Sequence, residues 1–239
     1  MEPAGRRALV TGGSRGIGAA IVAALRAAGA DVVVLGRGAG PAENYVRADV
    51  TDSAALAAAV AACLPLDILV NNAGAAESAP VARTDRALWD RMLAVNLTAV
   101  FEATRLVLPG MVQRGFGRVI SIASTAGLIG YPYVGAYVAA KHGVVGLTRA
   151  WAREVAPSGV TVNAVCPGFA DTDLVADSVR TIVARTGRSA QDALSALTAA
   201  NPQRRLVRPE EVAASVLYLC GPNSGAITGQ ALAVAGGEV

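Results

Sequence analysis

The segment that most constrains the fold is a short apolar run followed directly by a glycine-rich turn and a helix-forming stretch. Residues 8–10 lead into TGGSRGIG at 11–18, and 19–28 are mostly alanine and other helix formers. The glycines let the backbone turn tightly and let the helix approach the strand. The helix then directs free N–H groups and its positive end at the turn. The segment predicts a strand–turn–helix unit that binds a pyrophosphate through Gly12, Ser14, Arg15, Gly16, Ile17 and Gly18.

The end of the second predicted strand indicates which nucleotide this turn holds. The apolar strand 31–35 ends in Gly36 and Arg37, where NAD-binding proteins usually carry an acid that accepts from the ribose 2′-hydroxyl. No acid stands here, whereas the guanidinium groups of Arg15 and Arg37 suit a 2′-phosphate. We therefore expect NADP(H) to be preferred, with NAD(H) as the alternative. The plainer interpretation, two solvated surface arginines, stays open.

A tyrosine and a lysine at helical spacing indicate the chemistry. Tyr137 and Lys141 in YVAAK project from one face of a helix, so a phenol and an ammonium would lie side by side. A neighbouring cation stabilises a phenolate and lowers the tyrosine pKa from about 10 toward neutral pH. Ser124, which follows the predicted strand 117–122, supplies a hydroxyl that can hold an oxygen between them. The three residues predict general acid–base catalysis, although Tyr-x-x-x-Lys alone also arises by chance on surface helices.

In order along the chain, these motifs resemble the short-chain dehydrogenase/reductase family in its compact single-domain branch. The series is TGGSRGIG at 11–18, Asp49-Val50, NNAG at 71–74, Asn96 in VNLT, Ser124, Tyr137 with Lys141, and Pro167-Gly168 followed by Thr172. The resemblance covers nearly the whole chain. It implies an NAD(P)-dependent oxidoreductase that interconverts a ketone and a secondary alcohol by hydride transfer.

The resemblance also implies a role for each residue. Asp49 and Val50 would contact the adenine; Asn72, Ala73 and Gly74 the adenosine-side ribose; and Pro167, Gly168 and Thr172 the nicotinamide end. The catalytic residues would be Asn96, Ser124, Tyr137 and Lys141. Tyr137 would transfer the proton and Ser124 would orient the oxygen, while Lys141 would also bind the nicotinamide ribose and Asn96 would hold a water linking Lys141 to solvent. Singly these polar residues could be turn formers, but the strand ends of a parallel sheet place their loops at one edge.

Length and composition predict an α/β fold. The chain has 239 residues, of which 53% are hydrophobic and 16% charged, as expected of a parallel sheet buried on both faces. Strands are predicted at 6–10, 31–35, 66–70, 117–122, 160–165 and 230–234, with helices between them. We expect a doubly wound parallel sheet, the Rossmann fold, in three layers, with residues 1–239 as one domain. By resemblance, the polar stretch at about 173–202 would form a lid over the substrate.

The sequence gives little support for a membrane-spanning, secreted, nucleic-acid-binding or metal-binding protein. The longest apolar run, 54–64, ends at Pro65 and is too short to span a bilayer, and MEPAGRRALV contains no apolar signal core. A net charge of +3 without a basic run among aromatics gives no reason to expect nucleic acid. The three widely spaced cysteines favour buried thiols over disulfides or a metal site. We expect a cytoplasmic protein with no metal and no membrane or nucleic-acid partner.

The substrate class is narrowed only in part. The segment 160–174 and the long lid resemble polyketide ketoreductases and 3-hydroxyacyl dehydrogenases, so a 3-oxoacyl thioester is the leading substrate, carried by CoA or a carrier protein. Arg204, Arg205 and Arg208 would meet phosphates or an acidic carrier, or would simply be solvated. The alternative is an NAD-linked dehydrogenase of a small hydroxy acid or alcohol such as 3-hydroxybutyrate.

Two further alternatives are weaker. An enoyl reductase of this fold would need a tyrosine at position 134, where valine stands. A non-catalytic NADP sensor typically loses the tyrosine or lysine, and both are present. The family's usual assembly leads us to expect a homotetramer, through a helix stripe formed by Ala140, Val144, Leu147 and Ala150.

Overall fold

Parallel strands form a single sheet in the described part of the chain. The strands are β1 (Arg7–Thr11), β2 (Asp31–Gly36), β3 (Tyr45–Arg47), β4 (Ile68–Asn71), β5 (Gly117–Ile122), β6 (Val160–Pro167) and β7 (Ala231–Val234), and their order in the sheet is β3-β2-β1-β4-β5-β6-β7. The structure is a computed structural model that describes residues 3–38, 40 and 44–239. Met1 and Glu2, with which the predicted domain begins, lie outside the described residues.

Helices cover both faces of this sheet. α1 (Gly16–Ala27) and α8 (Pro209–Cys220) pack on one face, and α2 (Ser53–Cys63), α4 (Ala99–Arg114) and α5 (Gly135–Val155) pack on the other. A π-helical turn, Ala94–Thr98, joins α3 (Arg86–Leu93) to α4, and α6 (Asp173–Thr186) and α7 (Ala190–Thr198) occupy the predicted lid. The predicted three-layer doubly wound fold is confirmed, since the chain alternates strand and helix and the strand order reverses between β1 and β4.

The inner strands are mostly apolar because both of their faces are buried. Ala8 and Val10 of β1 contact the core under α1 and α8, whereas Leu9 contacts the opposite core under α2 and α4. Successive strand residues point to opposite faces, so such a strand contributes to both cores. This explains why the composition is rich in hydrophobic residues.

The edge strand β3 is the element that the sequence did not predict. Its residues 45–47 pair only with β2, in the register Val34 to Tyr45, Leu35 to Val46 and Gly36 to Arg47. A three-residue edge strand buries little, so it leaves no apolar run for a sequence pattern to detect. The other six strands lie within two residues of the predicted bounds.

One helical stretch has the length and composition of a membrane span. Residues Arg86–Arg114 contain a window of mean hydropathy 1.3. Within the fold, however, Ala103, Val107 and Met111 of this stretch are buried against the sheet. Its apolar character is therefore that of a helix whose inner face belongs to the core.

Candidate functional site

The site lies at the edge of the sheet where the parallel strands end. Thr11, Gly36, Asn71, Ile122 and Pro167 end β1, β2, β4, β5 and β6, and the segments that follow them contain most of the predicted site residues. Ligands of open α/β sheets bind at this edge, beside the point where the strand order reverses. β1 and β4 are the neighbouring strands at that point.

The glycine-rich turn is held by the segment that follows β4. The side-chain amide of Asn72 donates to the carbonyl oxygens of Thr11 and Gly12, both at 3.0 Å. The Thr11 hydroxyl accepts from the backbone N–H groups of Asn72 and Ala73, also at 3.0 Å. Asn72 therefore fixes the conformation of the turn.

Close approach of backbone explains the glycines of the turn. A Cβ at position 18 would lie 2.2 Å from the Gly12 carbonyl oxygen, and Gly12 has φ +65. Gly16, with φ +53, begins α1, so the free N–H groups of this helix point out of the turn. Ser14 is exposed in the turn, and Ile17 packs its side chain on the core under α1.

A glycine and an arginine, and no acid, stand at the end of β2. A Cβ at position 36 would lie 2.6 Å from the Tyr45 hydroxyl oxygen, so any side chain there would require the Tyr45 ring to move. Arg37 is mostly exposed and lies 3.7 Å from Asp49. Arg47 of β3, which the sequence did not single out, donates from Nε to the Arg37 carbonyl oxygen at 3.0 Å. The Arg47 guanidinium is thereby held against the backbone of Arg37 at this end of the cleft.

Asp49 and Val50, the residues predicted to contact the adenine, follow the edge strand β3. Oδ1 of Asp49 accepts from the backbone N–H of Thr51 at 2.9 Å and from its hydroxyl at 2.8 Å. The hydrogen bond from the Thr51 backbone lowers the pKa of Asp49, with a smaller contribution from Arg37. Val50 is buried beside it. Asp49 is therefore an ionised acceptor with its other oxygen toward Arg37.

The far side of the cleft is closed by the start of the lid. Arg15 of the turn forms a salt bridge of 3.5 Å with Asp173, the first residue of α6. A Cβ at Gly16 would lie 3.1 Å from Cγ2 of Thr172. Thr172 and the turn are thus in near contact, as expected of groups that bind one dinucleotide from two sides. Gly168 follows β6 and donates its N–H to the Val234 carbonyl at 3.1 Å.

Ser124, Tyr137 and Lys141 converge as predicted. Tyr137 is hydrogen-bonded to the Ser124 side chain, whose Oγ also accepts from the Ala126 N–H at 3.1 Å. Nζ of Lys141 lies 5.6 Å from the centre of the Tyr137 ring and donates to the Ile122 carbonyl oxygen at 2.8 Å. Ile122 ends β5 two residues before Ser124, so the sheet itself fixes the relation of the hydroxyl, the phenol and the ammonium.

The pKa of Tyr137 differs from the sequence prediction. Burial raises it above the ordinary value, and the opposing hydrogen bond from Ser124 is the smaller effect. The neighbouring Lys141 does not outweigh burial, because its ammonium donates to a backbone carbonyl and its own pKa falls to about 8 through burial. The protein groups alone therefore keep Tyr137 protonated at neutral pH, as a proton donor requires.

Asn96 holds the backbone behind the catalytic groups. It is fully buried in the π-helical turn. Its Nδ2 donates to the carbonyl oxygens of Ala75 and Met92 at 2.8 and 3.0 Å, and its Oδ1 accepts from the Ala75 N–H at 3.2 Å. A Cβ at Gly74 would lie 2.9 Å from that Oδ1. Both amide protons are used, so any water near Lys141 would have to be held by another group or by the remaining lone pair of Oδ1.

Sequence reasoning missed four residues around Ser124. The Cys166 thiol of β6 accepts from the Ser124 N–H, and burial raises its pKa to about 11. Thr125, Tyr131 and Glu238 form a hydrogen-bonded chain beside it. Cys166 had no signal beyond being an apolar-strand cysteine, and Glu238 lies more than a hundred positions from Tyr131 in the sequence. Contacts between residues so far apart in the sequence leave no local sequence pattern.

Comparison with known proteins agrees with this geometry. The family model for short chain dehydrogenases matches residues 6–182. The chain belongs to the short-chain dehydrogenase family. The match includes the turn, the NNAG segment, Asn96 and the Ser124, Tyr137 and Lys141 group.

Relatives within the family include reductases and dehydrogenases. A putative ketoacyl reductase of Streptomyces coelicolor is 42% identical over 250 residues, covering 96% of this chain and 95% of the relative. A D-beta-hydroxybutyrate dehydrogenase of Rhizobium meliloti is 36% identical, covering 97% and 98%. The crystal structure of a variant of actinorhodin polyketide ketoreductase with NADPH superimposes with a TM-score of 0.91 at 39% identity, covering 98% of this chain and 97% of that one.

Lys141→Met should stabilise the folded protein at neutral pH. The folded-state pKa of Lys141 is about 8, below the ordinary value of 10.5, so the folded state binds this proton less tightly than the unfolded state. Lys141 therefore costs stability most below pH 8, and the cost fades as pH rises toward 10.5. The variant should gain up to about 3 kcal/mol in the free energy of unfolding at pH 7, measured by urea unfolding, and less at pH 10.

The titration can also be observed directly. Lys141 is the only lysine of the chain, so selective ¹³Cε-lysine labelling gives one side-chain NMR signal. Its midpoint should lie near pH 8. A midpoint near 10.5, together with no stability gain in the variant, would contradict the burial argument.

Proposed function

We propose that this chain is an NADP(H)-dependent ketoreductase that reduces a ketone to a secondary alcohol. The observation that carries the proposal is the convergence of Ser124, Tyr137 and Lys141 at the same sheet edge as the pyrophosphate-type turn. A carbonyl oxygen placed between the two hydroxyl groups would accept from both. Its carbon would then face the cleft between the turn and Thr172.

The residues present fit the cofactor. Backbone approach leaves Gly12 and Gly18 without room for side chains, Gly16 has a positive φ, and the free N–H groups of α1 suit a pyrophosphate. Arg37 and Arg47 lie in contact after β2 and in β3, and Asp49, an acceptor, forms an ion pair with Arg37, which supports this as the adenosine end. When bound, NADPH supplies a hydride to the carbonyl carbon.

The chain's own residues manage the charge that develops on oxygen. As the carbonyl carbon gains two electrons with the hydride, the Tyr137 hydroxyl gives its proton to the oxygen, so the product is a neutral alcohol and a transient phenolate. Ser124 hydrogen-bonds the same oxygen. Lys141, protonated below about pH 8, stabilises the phenolate until it regains a proton. Alcohol oxidation would run these steps in reverse and needs the phenolate, so it should be favoured at higher pH.

The proposed substrate is a 3-oxoacyl thioester or a related polyketide-like ketone. Support comes from the ketoacyl reductase and polyketide ketoreductase relatives. The D-beta-hydroxybutyrate dehydrogenase relative supports oxidation of a small hydroxy acid as a second candidate. A screen of NADPH and NADH oxidation over 3-oxoacyl thioesters, diketones, cyclic ketones and 3-oxo acids tests both. Turnover confined to free acids with NADH would favour the second candidate.

Segment 173–202 is proposed to be the substrate lid of a single domain. Its two helices follow Thr172, and Arg185 reaches the Ser78 carbonyl oxygen in the loop after β4, at 3.4 Å. It therefore spans the mouth of the cleft. In the same screen, shortening the lid should raise KM for long acyl thioesters more than for small ketones. An equal rise for all substrates would make the segment part of the scaffold.

Tyr137→Phe should abolish most of the ketone reduction. Removing a general acid lowers the rate by about 10² to 10⁴-fold, whereas NADPH affinity should stay nearly unchanged. Tyr133→Phe is the matched control, since Tyr133 is 65% exposed. Steady-state kinetics and NADPH fluorescence titration measure the two effects. Near-normal turnover by the Tyr137 variant would move the proton-transfer role elsewhere, although not to Tyr131, whose hydroxyl is bonded to Glu238.

Arg37→Asp should shift cofactor preference toward NADH. The substitution removes a charge-assisted contact with the 2′-phosphate, worth about 1.5 to 3 kcal/mol, and adds repulsion. The ratio of kcat/KM for NADPH to that for NADH should therefore fall at least about tenfold. Arg153→Asp, an equal charge change on exposed α5, is the control. A wild-type enzyme that uses NADH as well as NADPH would contradict the assignment.

A soluble, cytoplasmic homotetramer remains our proposal for the assembly. The predicted stripe needs revision, because Ala140 and Val144 are buried inside the subunit, and Ala150 is exposed. Phe101 of α4, 39% exposed, stacks on Trp151 of α5 with ring centres 6.4 Å apart and offers an apolar contact surface in its place. Light scattering at micromolar concentration should give four times the 24.0 kDa chain mass. A monomeric mass would exclude the proposal.

A further inference from the structure

A carboxylate lies between two of the loops that form the reaction end of the cleft. One oxygen of Glu238 accepts from the Tyr131 hydroxyl. Its other oxygen would lie 3.0 Å from a Cβ at Gly168, and the Tyr131 ring meets Phe169 edge-on at 6.1 Å. Tyr131 belongs to the loop after β5, which contains Ser124, and Gly168 follows β6. The segment after β7 therefore brings a negative charge to the substrate side.

Hydrogen bonds fix this carboxylate in place. A phenol has one proton to donate, and Tyr131 gives it to Glu238, while the Thr125 hydroxyl, at 2.7 Å, donates to the Tyr131 oxygen. Burial, followed by the bond to Glu238, raises the pKa of Tyr131, so Tyr131 stays a donor. In the series Thr125, Tyr131, Glu238 each hydroxyl thus donates to the next residue, and the last acceptor is the Glu238 carboxylate.

No positive group cancels the charge. Among the residues that the structure describes, no salt bridge involves Glu238. The carboxylate is only partly exposed, so solvent screens it less than a free surface group. Tyr131, which holds it, is close enough to Tyr137 for the two phenols to interact electrostatically. A substrate bound at Tyr137 would therefore experience the field of Glu238.

Building on the proposed ketone reduction, we propose that Glu238 is a specificity-determining residue that rejects anionic 3-oxo acids and admits neutral 3-oxo esters and thioesters. A free carboxylate on the substrate would face a fixed like charge in a partly desolvated cleft, and such repulsion disfavours binding. An ester or thioester carries no charge at that position. With Glu238 in place, the enzyme acts as a ketoreductase on acyl groups bound as thioesters and not as a dehydrogenase of free hydroxy acids.

Matched ketones and a charge-neutral variant test the assignment. Acetoacetate and ethyl acetoacetate share the reacting ketone and differ in the charge of the acid group. Glu238→Gln keeps an oxygen that can accept from Tyr131 and removes the charge. It should raise kcat/KM for acetoacetate about fivefold or more, and change that for ethyl acetoacetate by less than about twofold. Added salt should narrow the wild-type preference but not that of the variant.

Glu154→Gln is the control. It removes the same charge from an exposed position 17 residues after Tyr137 on α5, about 25 Å along the helix, and should leave the ratio of the two ketones unchanged. Tyr131→Phe keeps the carboxylate but removes the hydrogen bond that holds it, so it should weaken the preference without abolishing it. A ratio unaffected by Glu238→Gln, or shifted equally by Glu154→Gln, would overturn the assignment.

Binding to the enzyme–NADP⁺ complex gives a readout that needs no turnover. Calorimetric titration of this complex with each ketone should show the same relative gain for acetoacetate in Glu238→Gln. Failure of both ketones to be reduced would count against the proposed function alone, whereas an unchanged affinity ratio would count against the role of Glu238 alone.

Discussion

The structure depends on the close approach of the glycine-rich turn to the segment after β4. Position 18 has no space for a Cβ, because the Gly12 carbonyl oxygen would lie 2.2 Å from it and the Asn72 side-chain nitrogen 2.5 Å. That nitrogen donates to two turn carbonyl groups. The contact joins the ends of β1 and β4, the neighbouring strands at which the strand order reverses. The same contact therefore forms the cleft and holds the ends of these two strands together. A larger residue at 18 would disturb both together.

Buried polar groups then fix the reaction end. Asn96 and Lys141 are almost wholly buried, which costs free energy unless each finds hydrogen-bond partners. Asn96 uses Ala75 and Met92, and Lys141 uses Ile122. Each partner is backbone, so each side chain ties a helix to a strand-end segment. The burial that shifts the pKa of Tyr137 upward and that of Lys141 downward is thus the burial that positions them.

Sequence reasoning succeeded where the signal was local. The glycine spacing, the apolar strands and the helical step from Tyr137 to Lys141 each lie within a few residues, and the structure places them as expected. Prediction from the sequence failed where contacts between several helices and strands determine the structure. β3 depends on pairing with β2, the pKa of Tyr137 depends on burial, and Ala140 and Val144 face the sheet because of how α5 packs. Arg47 and Glu238 reach the site through contacts that no short pattern records.

Charge is distributed unequally along the cleft, and this bears on how a substrate and cofactor would be oriented. Arg37 and Arg47 lie together at the β2–β3 end, which suits the anionic end of a dinucleotide. Glu238 lies at the β5–β6 end beside Tyr131. A dinucleotide whose 2′-phosphate lies toward the arginines would direct its nicotinamide ring toward the carboxylate end, where the proposed role of Glu238 disfavours an anionic group. The same polarity would then favour one cofactor orientation and a neutral acyl substrate, so that cofactor and substrate selection would share one electrostatic cause.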